Sequence, residues 1–306
     1  MSNIKPAVFQ TTLNDEISCT GVGLHSGCEV RMTLCPAPAN TGIQFRRTDL
    51  EIDDIVSARF DNVVDTQLGT TVANEAGSRV LTIEHLLAAF AGCGIDNAIV
   101  ELSAEEVPIM DGSAAPFVFL IECAGTKELG APRKVLKIKR AVRVGDLSRF
   151  ASLEPSNEFH VDLEIDFTSN AIGKQHHKVR LVNGAFKAEL ARARTFGFLK
   201  DVETLQAMGL ARGGSLDNSI VIDGDLVMNQ DGLRYGDEFV RHKLLDVVGD
   251  LATAGWAIEG HFTGSKTGHA LNNELLQAVF ADPDNYEITE ARLPEPGFHA
   301  AAAAAQ

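Results

Sequence analysis

The order in which the apolar pattern changes period constrains this chain more than any other feature. Over residues 7–60 the pattern has period two: Val8-Phe-Gln-Thr-Thr-Leu13, Glu16-Ile-Ser-Cys-Thr20 and Glu29-Val-Arg-Met-Thr-Leu34 read as short strands. Residues 43–80 continue as further short strands, one of them over 63–68. A helix then opens at Thr82, which is placed as its N-cap, runs through Leu86-Leu-Ala-Ala-Phe-Ala91 and stops at Gly92. A strand over 97–102, a loop through Pro108 and a second helix to about Ala124 follow. The second half repeats the plan: alternating segments through 134–144, 150–153, 159–167 and 177–181, a helix over 238–254, a strand over 256–262, and a helix from about His269 to Phe280. Strands, then helix, strand, helix, twice over, predict an α+β protein whose two domains share a topology and pack against each other. The expected domains are 1–126 and 134–306, with Gly130 and Pro132 marking 127–133 as linker. An extra stretch at about 187–232 holds a short amphipathic helix near 201–208, and no role is given to the Ala-rich end at 300–304.

Composition narrows the function classes. A length of 306 residues allows two sizeable cores, and 45% apolar with 23% charged residues is ordinary for a soluble globular protein. A formal charge of −15 argues against nucleic acid or an anionic membrane as the main partner, so an anionic substrate needs a local basic pocket. Cys19, Cys28, Cys35, Cys93 and Cys123 are odd in number and lack CxxC spacing, as expected of reduced thiols in the cytoplasm. The N-terminus has no apolar segment of signal-peptide length and no run reaches a membrane span. Two glycine motifs mislead. Gly21-Val-Gly-Leu-His-Ser joins strand to strand rather than opening a helix, and Gly260…Gly264-Ser-Lys-Thr lacks the G-K-[ST] adjacency, so neither reads as a nucleotide loop.

The chemistry concentrates on the helix at 238–254. Glu238, His242, Asp246 and Asp250 fall four residues apart and form one polar stripe, with Val240, Leu244, Val247, Val248 and Leu251 on another side. A lone H-x-x-x-D reads first as a surface stripe with a helix-stabilising pair. The repeated plan changes that, because it brings His85, early in the first half's helix, to the same seam. His85, His242 and Asp246 then make a three-ligand set with an open position, the pattern of a catalytic zinc. Fe(II) also suits such a set. Glu84, beside a ligand, is placed to take a proton from an attacking water, although a first-turn acid also suits the helix dipole. His269 is expected as a cation for an oxyanion or leaving amine, with Asp250 as the partner that keeps it protonated.

The segments Gly21-Val-Gly-Leu-His-Ser-Gly, Thr82-Ile-Glu-His-Leu, Met110-Asp-Gly-Ser-Ala-Ala-Pro-Phe, Arg194-Thr-Phe-Gly-Phe, Gly213-Gly-Ser, Phe239-Val-Arg-His-Lys-Leu-Leu-Asp and Gly268-His-Ala-Leu-Asn-Asn resemble the UDP-3-O-acyl-N-acetylglucosamine deacetylases. These are zinc amidases of lipid A synthesis in Gram-negative bacteria. The likeness runs in order from about residue 7 to 282. It implies two α+β layers of like topology, each with its own small insert. It also implies zinc on His85, His242 and Asp246, Glu84 as base and His269 as cationic partner. Thr195 would polarise the carbonyl and Lys243 would meet the nucleotide phosphates. The 187–232 stretch would form an acyl-chain passage walled by Phe196, Phe198, Val202, Leu210, Ala211 and Val221, with Leu24 and Ser215 also on the substrate. The same apolar residues would equally suit a small satellite core. The expected enzyme is a cytoplasmic monomer acting on a UDP-linked acylated N-acetylglucosamine. The alternatives are a zinc amidase for another N-acyl compound and a non-catalytic module with a structural metal.

Overall fold

A computed structural model describes residues 7–182 and 184–292. Its first half holds β1 (Phe9–Leu13), β2 (Ile17–Val22), β3 (Glu29–Pro36), β4 (Ile43–Arg47), β5 (Ile55–Ser57), β6 (Val63–Asp65), β7 (Thr71–Ala73), β8 (Arg79–Val80), α1 (Glu84–Cys93), β9 (Ala98–Leu102), α2 (Ala115–Ala124) and β10 (Thr126–Pro132). The second holds β11 (Lys134–Ile138), β12 (Val142–Gly145), β13 (Phe150–Glu154), β14 (Phe159–Asp166), β15 (Lys174–Arg180), β16 (Phe196–Phe198), α3 (Leu199–Ala207), β17 (Ile220–Asp223), β18 (Leu226–Val227), α4 (Glu238–Ala252), β19 (Ala257–Ser265), α5 (His269–Ala281) and β20 (Tyr286–Glu290). The alternation in the sequence is burial alternation: in β3, Val30, Met32 and Leu34 are buried while Glu29 and Arg31 are exposed. The fold is α+β.

Strand pairing repeats between the halves. In the first sheet, ordered β2-β3-β9-β4-β5, β9 is antiparallel to β3 and parallel to β4. In the second, β19 is antiparallel to β13 and parallel to β14, with β12 outside β13 and β15 outside β14. The flanking pairs β1–β10 and β11–β20 correspond as well, both antiparallel. Each half adds a three-stranded sheet before the helix that carries His85 or His242, β6-β7-β8 and β16-β17-β18. One continuous apolar core, from Leu13 to Val279, runs through both halves.

The helices α1 and α4 meet at the centre of that core, buried along almost their whole length. Gly249 makes the meeting possible. A Cβ there would lie 1.9 Å from the Glu84 carbonyl oxygen, so any side chain would push the start of α1 away from α4.

The expected linker stretch, 127–133, is mostly β10, hydrogen-bonded to β1. Gly and Pro cluster there without breaking the strand, because an edge strand tolerates both. Thr82 does not cap α1. Its φ is 57° and its hydroxyl donates to Glu106 at 3.0 Å, so Ile83 occupies the cap position without a side-chain hydrogen bond. Glu106 also accepts the backbone N–H groups of His25 and Ser26, and this buried carboxylate outcompetes the helix end for the threonine. The 300–304 tail lies outside the described residues. All five cysteines are free thiols. Among the described residues no helix is long and apolar enough to cross a membrane.

Candidate metal centre

His85 sits in the first turn of α1, and His242 and Asp246 lie one turn apart on α4. Packing of the two helices brings Nε2 of His85 within 3.5 Å and Nε2 of His242 within 3.3 Å of Asp246 Oδ1. The imidazoles stand edge to face, with centroids 4.9 Å apart. All three side chains are buried, and one potential ligand atom from each lies within 4.8 Å of the others.

This donor set fits a divalent cation. Asp246 Oδ1 is buried and has no hydrogen-bond partner among the described residues, which would be costly unless a cation fills the place. Nδ1 of His242 lies 3.1 Å from the Ala193 carbonyl, so that nitrogen carries the proton and Nε2 keeps its lone pair. Burial pushes the His242 imidazole down to about 4 against the pull of Asp246, which keeps it in the neutral, ligating form at neutral pH. Burial would raise the Asp246 carboxyl, but His242, Lys243 and the adjacent His85 imidazole hold it well below the usual carboxylate range.

The acid and the cation of the expected chemistry lie next to this centre. Glu84 precedes His85 and is 3% exposed. His269, at the start of α5, places Nδ1 2.9 and 3.0 Å from the two oxygens of Asp250. Burial alone would lower His269, yet Asp250, with Glu84 adding to it, raises it to about 9. Asn272 donates to Asp250 Oδ2 at 2.8 Å and accepts from Thr267 at 2.8 Å, which fixes that carboxylate from a second side. Sequence reasoning missed Asn272, although it follows His269 by one helical turn in Gly268-His-Ala-Leu-Asn. It also missed the Ala193 carbonyl, for which a backbone acceptor leaves no residue-type signal.

The fourth member of the polar stripe does something else. Glu238 is fully buried and accepts from Arg194 Nε at 2.9 Å, Arg194 Nη2 at 3.1 Å and two backbone N–H groups. Burial would raise its carboxyl, but these donors leave it below the ordinary value. The pair anchors the segment that leads into Thr195. Thr195 itself is half-buried, its N–H bonded to Gly112 and its carbonyl to Ile220, both at 2.8 Å. Lys243 is bound to Asp246 Oδ2 at 2.5 Å, a different contact from the phosphate one that the resemblance implies.

The expected passage residues cluster only in part. Phe196 packs edge-on against Phe239 at 5.0 Å and lies 6.2 Å from the His242 ring; Phe167 joins it to Phe198. Val221 is opposite Gly197 in the β16–β17 pair. Leu24 meets the insert from the other half, its carbonyl accepting the Gly213 N–H at 3.0 Å. Val202, Leu210 and Ala211 are half-buried on or just after α3, and Ser215 is exposed, its N–H held by Asn218.

With this geometry in place, the comparisons with known proteins become specific. The chain matches the family profile of UDP-3-O-acyl N-acetylglycosamine deacetylase over residues 10–281. It is 52% identical to the UDP-3-O-acyl-N-acetylglucosamine deacetylase of Shewanella sp. strain W3-18-1, the alignment covering 92% of each chain. The proteins of that name from Shewanella oneidensis and from Shewanella baltica strain OS155 are each 51% identical, over the same share of both chains.

Proposed function

The chain belongs to the UDP-3-O-acyl-N-acetylglucosamine deacetylase family, and from that membership we propose that it hydrolyses the N-acetyl group of a UDP-linked, 3-O-acylated N-acetylglucosamine, releasing acetate at an early step of lipid A synthesis. The observation that carries the reading is the buried, unpaired Asp246 Oδ1 facing two imidazole Nε2 atoms, with an acid and a histidine cation alongside. His85, His242 and Asp246 would hold zinc, with Fe(II) able to replace it in cells. When bound, zinc supplies Lewis-acid polarisation of the amide carbonyl and a water acidified to a pKa of about 7. Glu84 takes the proton from the attacking water. His269, cationic through Asp250, offers its Nε2 proton to the departing amine, and the Thr195 hydroxyl donates to the oxyanion as it develops. Lys243, held beside the centre by Asp246, faces the diphosphate. The α3–β17 insert and Leu24 line the acyl chain. We read the halves as two domains that meet after β10, and the protein as a cytoplasmic monomer without nucleic-acid partners.

Metal analysis coupled to an acetate-release assay tests this directly. One zinc per chain and chelator-sensitive acetate release from the UDP-linked substrate are the expected results. Turnover of unrelated N-acetyl amides at comparable kcat/KM would redirect the assignment to a general amidase.

Chain length should matter strongly. Each buried methylene is worth roughly 0.8 kcal/mol, about fourfold in kcat/KM, so short-chain analogues should fall off steeply. Phe198→Gln should flatten that dependence. Equal turnover of an O-acetyl analogue would show that the insert serves another purpose.

The pH profile carries its own sign. His269 has its pKa raised to about 9, so it is protonated throughout the neutral range and loses its charge as pH rises through that value. The kcat/KM profile should therefore fall on an alkaline limb near 9, reporting a macroscopic value for the coupled site. In His269→Gln that limb should blunt while the acidic limb remains; an unchanged alkaline limb would remove His269 from the role.

A further inference from the structure

In the proposed reading Glu84 and Asp250 work from opposite halves of the chain, and one residue touches both. Thr70 lies between β6 and β7 and is 2% exposed. Its backbone N–H donates to Glu84 Oε2 at 2.9 Å, and its hydroxyl donates to Asp250 Oδ1 at 2.7 Å. The segment before it is shaped for this approach. Leu68 takes φ 63°, and a Cβ at Gly69 would stand 3.1 Å from Glu84 Oε1, so the backbone lies flat against the carboxylate. The Thr70 carbonyl accepts the Ile83 N–H at 3.3 Å, which fastens the segment to the start of α1.

The acceptor count on Asp250 shows what the hydroxyl does. An ionised carboxylate offers about four lone-pair directions. His269 Nδ1 meets both oxygens, Asn272 takes a second direction on Oδ2, and Thr70 takes a second on Oδ1. Without Thr70 one oxygen loses its second donor, and the broad torsion of an aspartate carboxylate is free to turn. His269 would turn with it.

We propose that Thr70 is a positioning residue for the reaction: its backbone sets Glu84, its hydroxyl aims Asp250 and through it His269, and the two catalytic groups are thereby held at a defined separation across the α1–α4 seam. Its kinetic consequence rests on the deacetylase reading; its structural consequence does not.

Thr70→Ser keeps the hydroxyl, whereas Thr70→Ala differs from that variant by the hydroxyl alone, and Thr70→Val preserves the shape. With metal content equal to wild type, Ser should retain kcat within about threefold, while Ala and Val should lose about 10- to 100-fold with KM little changed. Introduced into His269→Gln, the Ala change should cost under about threefold further, because both substitutions act on one unit. By NMR, the downfield Nδ1–H resonance of His269 should persist in Thr70→Ser and vanish in Thr70→Ala. Equal kcat for Ser and Ala, a full additional loss in the His269→Gln background, or an unchanged His269 resonance in Ala would each overturn the proposal. So would failure of both hydroxyl-free variants to fold, which would make the role structural. If the wild type releases no acetate, the deacetylase reading fails, while the resonance still decides the role of Thr70.

Discussion

Asp246→Ala protein should purify without stoichiometric metal and without measurable acetate release. Asp246 is the hinge of the set, since its Oδ1 faces both histidine Nε2 atoms and a three-ligand site has no spare donor. Even the hydrogen-bond partners of metal ligands are typically worth about 10–100-fold in affinity, so loss of a ligand should exceed that. The substitution also strands Lys243, whose ammonium has Asp246 at 2.5 Å and is mostly buried. Breaking such a pair typically costs about 3–5 kcal/mol, so Asp246→Ala should be less stable as well as inactive. His85→Gln and His242→Gln separate the two effects, because they remove a donor without orphaning the lysine. All three proteins should show weakened metal binding by titration, and the histidine variants should unfold nearer to wild type. Unchanged zinc stoichiometry and affinity in all three would eliminate the centre described here.

Glu84→Gln should give the opposite pattern, with metal retained and chemistry lost. Glutamine has the same shape, and its carbonyl oxygen still accepts the Thr70 N–H that now holds Oε2 at 2.9 Å. What disappears is the ability to accept a proton. A general base contributes about 10²–10⁴-fold, so kcat should fall by that factor while zinc content, Tm and KM stay close to wild type. Single-turnover acetate release with metal-replete protein is the decisive measurement. Near-normal turnover would overturn the mechanism even if the substrate assignment stood.

The local features were legible because they depend on near neighbours. The period of two in Glu29–Leu34 reports burial on one face, and the structure places that face in the core; the apolar side of Phe239–Leu251 is there too, but so is its polar stripe. The His242–Asp246 spacing shows the pair one turn apart on one helix, and the strand and helix patterns gave the α+β mixture that the structure has. Recognition of the family rested on long ordered motifs rather than on periodicity, and the comparisons match it over residues 10–281.

Other features depended on partners distant in the chain. Thr82 has the chemistry of a cap, but Glu106 lies within reach only after β8 and the loop beyond β9 have come together. Residues 127–133 carry turn-forming types, and only the presence of β1 alongside makes them a strand. Glu238 shares a stripe with His242, yet Arg194 claims it for structure rather than for metal. Lys243 could have faced solvent or substrate, and in this fold it meets Asp246. By itself, then, the sequence determined most of the regular elements, their order and the chemical types on each face, since those follow from backbone geometry over a few residues. The docking of α1 on α4 decided which of those side chains share a centre, because a carboxylate removed from water is satisfied by whatever donor the packing brings within hydrogen-bonding distance.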